Sequence, residues 1–163
     1  MRRLIEHAAF AHRSYGDVCH IFFHHGGAVL GKATNAASLR SVRLVEAGDQ
    51  TIPGFDSAEA LDLKLGPITQ DKNHASMEFS WDANETKRLL ANVYGRLDLR
   101  PLVKMGPSAM TEIVLRAEYT PSAVSRRSPE AVLFGRRVVK AALHRFLDDV
   151  VSGLDDYEES LLG

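Results

Sequence analysis

The stretch from Ser128 to Tyr157 constrains this chain more than any other. Ser128 offers a capping hydroxyl, Pro129 suits the first helical position, and Glu130 complements the positive helix end. Val132, Val139, Ala142, Leu143, Phe146, Val150, Leu154 and Tyr157 then recur at three- and four-residue steps, which is the period of an apolar helix face. Arg136, Arg137, Lys140, Arg145, Asp148 and Asp149 fall largely between them. At about 1.5 Å per residue, a helix over 129–157 is about 43 Å long. A stripe of that length needs a matching apolar surface.

The middle of the chain supplies one. "ALDLKLG" alternates Leu61, Leu63 and Leu65 with Asp62 and Lys64, and "HASMEFSW" sets Ala75, Met77, Phe79 and Trp81 against His74, Ser76, Glu78 and Ser80. "YGRLDLRPL" places Leu97 and Leu99 opposite Arg96, Asp98 and Arg100. "TEIVLRAEYT" puts Ile113, Leu115, Ala117 and Tyr119 on one face, with Glu112, Arg116 and Glu118 on the other. Such alternation predicts an antiparallel sheet with one wet and one covered face. "SVRLVEA" (41–47) reads as a further short strand, followed by the loop "GDQTIPGFDS". "KMGPSA" reads as hairpin punctuation. "DANETKRLLAN" reads as a short helical turn, with Asp82 and Glu85 at capping-box spacing.

Residues 4–13 read as a first strand, with Ala8, Phe10 and His12 on one face and His7, Ala9 and Ala11 on the other. Ser14 or Asp17 then caps a helix carrying Val18, Ile21 and Phe22. Gly26-Gly27 is expected to break or bend it, because paired glycines are costly inside a helix. A second short helix, "AVLGKATNAA", follows. The expected class is α+β, one domain over 1–163, with two short helices after the first strand.

Composition narrows the partners. Twenty basic against twenty-one acidic residues give a net charge of −1, so no global field draws in nucleic acid or anionic membrane. A single cysteine cannot form an internal disulfide. "MRRLIEHAAFAHRS" carries charges and histidines where a signal peptide has an apolar core, and no stretch approaches the roughly 20 apolar residues of a membrane span. The expectation is a cytoplasmic protein with no nucleic-acid partner and no stable membrane insertion, of undetermined oligomeric state.

Several of these segments together resemble the START/Bet v 1-like helix-grip (SRPBCC) superfamily, in its bacterial polyketide cyclase/dehydrase branch. They are "FSWDA" with Trp81, "GRLDLRPL" with Pro101, "LRAEYTP" with Tyr119 and Pro121, and "FGRRVVKAALHRFLDDVVSGL". The resemblance covers roughly residues 4–157. The chain departs from it at "TPSAVSRRSP", where the family's corner often continues with a second proline and a glycine, and this leaves the approach to the last helix open. The resemblance implies a curved sheet gripping the C-terminal helix, with a hydrophobic small molecule such as a lipid, polyketide or isoprenoid between them. On that basis the candidate cavity-lining residues are Phe10, Leu63, Met77, Phe79, Trp81, Leu97, Leu99, Ile113, Leu115, Ala117, Tyr119, Val139, Ala142 and Phe146. The same large side chains are equally able to fill the space as a solid core.

Reactive residues are sparse. "CHIFFHH" (19–25) gathers one thiol and three imidazoles. On a helix, however, only His20 and His24 share a face, and Ile21 stands where a zincin has its glutamate. No metal and no cofactor are expected, and Cys19 reads as a small buried hydrophobe. His7, His12 and His144 are the candidate general bases. Their relevance depends on whether any points into the cavity beside Tyr119 or Trp81, groups able to donate hydrogen bonds to a ligand. Arg126, Arg127, Arg136 and Arg137 offer a site for an acidic group, or simply a solvated helix entrance. A carrier or sensor of a hydrophobic molecule is the leading expectation. A cyclase or dehydratase using a cavity histidine is the second, and a protein-interaction module with a filled cavity the third.

Overall fold

The computed structural model describes residues 3–47, 62–82, 92–103, 106–120 and 128–157, with the backbone alone over 35–47 and at 62. The elements are β1 (Arg3–Ala11), α1 (Tyr15–Ala47), β2 (Asp62–Gln70), β3 (Ala75–Asp82), β4 (Val93–Val103), β5 (Met110–Tyr119) and α2 (Pro129–Asp155). The loop 48–57, Leu61, residues 83–91 of "DANETKRLLAN", Lys104 and Met105, the 121–127 segment with Arg126 and Arg127, and 158–163 lie outside the described residues.

Among the described residues the strands form one five-stranded sheet in the order β1-β5-β4-β3-β2. Every neighbouring pair is antiparallel. Alternation does what the sequence implies. Ala75, Met77, Phe79 and Trp81 of β3, Leu97 and Leu99 of β4, and Ile113, Leu115, Ala117 and Tyr119 of β5 all turn to the covered face and are buried. The opposite face is wet and laced with ion pairs. Arg116 meets Glu6 at 3.2 Å and Asp98 at 3.7 Å, while Arg96 meets Asp98 at 3.0 Å and Arg100 meets Glu112 at 2.6 Å. Register shifts interrupt β2 between Leu65 and Ile68 and β4 between Pro101 and Val103. Such irregularities bend a strand and increase its twist. Gly106 takes φ 88° in the β4–β5 connection, a conformation for which glycine is suited.

α2 is built as its sequence dictates. The Ser128 hydroxyl accepts a hydrogen bond from Ala131 N at 3.1 Å, and Pro129 follows at the helix start. Its 27 residues span about 40 Å at 1.5 Å each. Val139, Ala142, Leu143, Phe146, Val150 and Leu154 are buried as the pattern requires, joined by Ala131, Gly135, Val138 and Leu147. Val132 and Tyr157 are half-buried.

The helical part before β2 corrects two expectations. One helix of 33 residues runs from Tyr15 to Ala47 in place of two short ones. It passes through Gly26-Gly27 without a break, because Gly26 is used for close packing. A Cβ there would stand 3.0 Å from Met77 Cε. Tertiary contact with the sheet thus overrides a propensity cost of about 1 kcal/mol per glycine. "SVRLVEA" lies inside this helix and is not a strand; a short apolar run carries no period that separates the two states. Ser14 rather than Asp17 caps α1, its hydroxyl accepting from Asp17 N at 3.3 Å. Tyr15 then donates to the Asp71 carbonyl at 2.8 Å, tying the start of α1 to the β2–β3 turn.

Candidate functional site

The candidate residues between sheet and α2 are buried together. Met77, Phe79, Trp81, Leu97, Leu99, Ile113, Leu115, Ala117, Tyr119, Val139, Ala142 and Phe146 all belong to one buried cluster, and Leu63 packs half-buried at its margin. Three rings fill the centre. Phe79 and Phe146 lie 4.9 Å apart between centroids, and Trp81 meets Phe146 edge-on at 5.1 Å. The Trp81 indole N–H donates to Thr34 Oγ1 at 3.1 Å, and the Thr34 hydroxyl donates to the Leu30 carbonyl at 2.7 Å. The polar tip of the tryptophan is therefore satisfied within the protein. Phe10 is placed differently from the other candidates. It stands on the outer sheet face, 46 % exposed, because Ile5, His7, Ala9 and Ala11 take the inward positions of β1.

The candidate bases fall away from the buried aromatics. His7 on β1 and His144 on α2 stack on each other, with centroids 3.9 Å apart and planes 14° from parallel. β1 lies three strands from β3, about 14 Å at the usual spacing, so this pair is not beside Trp81. His7 pairs in register with Leu115 at the middle of β1, and Tyr119 pairs with Arg3 at its start. His12 is exposed, and its backbone N–H donates to Asp155 Oδ1 at 2.7 Å. Burial raises the Tyr119 hydroxyl above the usual tyrosine range, and Arg3 and Arg136 offset part of that rise.

"CHIFFHH" splits between the two faces of α1. Cys19, Ile21 and Phe22 are buried, and desolvation pushes the Cys19 thiol up, against a smaller opposing effect from Tyr15. A thiol so placed is a poor nucleophile. His20 and His24 are exposed, with ring centroids 4.5 Å apart, and His25 lies 5.2 Å from the Tyr157 ring. Among the described residues no group of three or more His, Cys, Asp or Glu is arranged to hold a metal ion. Arg136 and Arg137 are exposed on α2.

A concavity among the described residues lies elsewhere, between the two helices. An open groove of about 560 Å³ runs along the seam of α1 and the last turns of α2. Ala28, Val29 and Ala33 from α1, with Gly153 from α2, form its apolar part; Lys32, Arg145, Asp149, Ser152, Asp156 and Tyr157 form its polar rim. The helices approach closely at one point, where a Cβ on Gly153 would stand 3.5 Å from Val29 Cγ1. Arg145 is neutralised by Asp149, one turn on, at 2.9 Å. Lys32 has no ion pair among the described residues, and the Asp156 carboxylate stands on the same rim. Sequence reasoning missed this groove. Its only signal was the run of small residues in "GGAVLGKA" together with "SGL".

An antiparallel sheet in this strand order, curved against a long C-terminal helix, is an α+β helix-grip architecture. No protein-family model and no curated protein matches the sequence. Among solved structures, the chain is similar to the Zhui aromatase/cyclase from Streptomyces sp. R1128, at 14 % identity and a TM-score of 0.44, covering 100 % of this chain and 99 % of that one. It is also similar to norcoclaurine synthase from Thalictrum flavum, in complex with dopamine and hydroxybenzaldehyde, at 12 % identity and a TM-score of 0.44, covering 98 % and 90 % of the two chains. A third similar structure is an uncharacterized protein from Rhizobium leguminosarum, at 6 % identity and a TM-score of 0.43, covering 96 % and 99 %. No helix among the described residues is long and apolar enough to cross a membrane.

Proposed function

We propose that this protein binds a small amphipathic molecule, apolar over most of its length and anionic at one end, in the groove between α1 and α2. The observation that carries this reading is the groove itself. Its volume of about 560 Å³ falls within the range of ligand sites, roughly 300–1,000 Å³, and its lining is divided between small apolar residues and a charged rim. The ligand's apolar body lies along Ala28, Val29, Ala33 and Gly153, and its anionic group meets Lys32. Binding draws on burial of apolar area at about 25 cal/mol per Å², less the cost of ordering, with the lysine fixing orientation. Carrier or sensor is the role this supports, since no imidazole is among the described residues that line the groove.

The test uses decanoate, decanol and decyltrimethylammonium in calorimetric titrations of the full chain. Decanoate is expected to bind tightest, with Lys32→Glu weakening it about tenfold, a loss of about 1.4 kcal/mol. Gly153→Leu is expected to abolish binding by filling the groove. Decanoate binding left intact by Gly153→Leu but strengthened by Phe146→Ala would put the ligand between sheet and α2, against the candidate residues there. Equal binding of all three probes, or none, would overturn the reading.

A further inference from the structure

His7 and His144 are distant in sequence, yet their rings lie face to face, 3.9 Å apart, where the C-terminal helix crosses an edge strand. Both are half-buried. A stack of two neutral imidazoles is attractive, whereas two imidazolium ions at that separation repel, and partial burial leaves less water to screen them. We propose that the pair is an acid-sensitive clasp, which holds α2 on β1 at neutral pH and releases it when both rings are protonated. This goes beyond the binding reading and does not depend on it.

The surroundings favour release over compensation. On α2, Lys140 stands one turn before His144 and adds positive charge, while Asp148 stands one turn after and opposes it. On β5, the inward residues flanking His7's register partner are Ile113, Leu115 and Ala117, none of them charged. On β1, Glu6 beside His7 is exposed on the outer face and paired with Arg116. α1 meets α2 on another side, with Val29 against Gly153. No carboxylate among these groups sits between the rings to absorb a second proton. Burial, then His7, then Lys140 hold His144 below the usual histidine range, with Asp148 offsetting only part.

A histidine depressed in the folded state is favoured neutral there. Its contribution to stability is therefore complete above the unfolded value of about 6.5 and is lost as pH falls through the lower folded value. Among the described residues β1 is an edge strand, hydrogen-bonded to β5 alone, so releasing α2 from it opens the seam at that margin without dismantling the rest of the sheet.

The double variant His7→Phe/His144→Phe keeps two stacked rings and removes both charges. Between pH 7.5 and 5.0 the native protein is expected to lose about 3 °C more in Tm than this variant, the shift typical of a modest coupling in a chain of this size. Hydrogen exchange, corrected for its intrinsic pH dependence, should rise at pH 5.0 in peptides covering 3–11 and 139–147 of the native protein only. An NMR titration of the native chain and of His7→Gln gives a second readout, independent of how well the double variant folds. The His144 midpoint should lie below that of an ordinary histidine and move up in His7→Gln. Equal acid sensitivity of native and double variant, or a His144 midpoint unmoved by His7→Gln, would overturn the clasp.

Discussion

Gly95 on β4 lies directly beneath the ring of Phe79 on β3. A Cβ at residue 95 would fall 2.5 Å from Phe79 Cζ and 2.6 Å from Cε1. The ring belongs to the central aromatic trio and is itself pressed against Phe146, so it has no free volume into which to retreat. Gly95→Ala is therefore expected to destabilise the fold by about 1–3 kcal/mol, the usual cost of overpacking a dense core. Urea denaturation should show a lower midpoint at unchanged slope. A neutral or stabilising alanine would mean that β3 and β4 are not packed this closely.

Thr34 is the acceptor for the buried Trp81 indole. Thr34→Val preserves shape but leaves that N–H unpaired, at an expected cost of about 1–3 kcal/mol. Thr34→Ser retains the hydroxyl and is expected to recover most of this loss. Because the chain has a single tryptophan, its fluorescence reports this site alone, and the two variants should differ in emission as well as in denaturation midpoint.

Tyr15 is almost wholly buried and donates to the Asp71 carbonyl. Burial raises its hydroxyl well above the usual tyrosine range, with Cys19 and then Asp71 adding to the effect. A raised acid contributes stability that is complete below the unfolded value of about 10 and is lost as pH rises towards the higher folded value. Alkaline titration followed near 295 nm should therefore show Tyr15 as a late step that ionises only as the protein unfolds. Tyr15→Phe should remove that late step and cost about 1 kcal/mol at neutral pH through the lost hydrogen bond.

Ser128 caps the helix on which the sheet is packed. Ser128→Ala is expected to cost about 1 kcal/mol, and Ser128→Asp to retain that stability. Circular dichroism melts of the two variants decide between a working cap and an incidental serine.

What the sequence made legible was whatever a local period determines. β3, β4 and β5 could be read directly, because each alternates cleanly between a wet and a covered face, and α2 because its cap and apolar stripe are explicit. What depends on a distant partner was not legible. Gly26 reads as a helix breaker until Met77 is placed against it. Phe10 reads as an inward aromatic until Ile5 and Ala11 fix the phase of β1. The groove needs Val29 beside Gly153, and the histidine stack needs the first strand under the last helix. Neither adjacency leaves a trace in spacing along the chain.

The pairing of β1 with β5 also sets the order in which the molecule can be assembled. Arg3 pairs with Tyr119 and Ala11 with Thr111, so β1 is synthesised well before β5 and waits for it before this pairing can form. During synthesis β2, β3 and β4 can zip together locally as hairpins. β1 closes the sheet only across a loop of most of the chain, a late and slow step by the logic of contact order. Until then its unpaired edge and the exposed side chains of Leu4 and Phe10 are open to other nascent chains. The vulnerable interval in the life of this protein falls before α2 has been made.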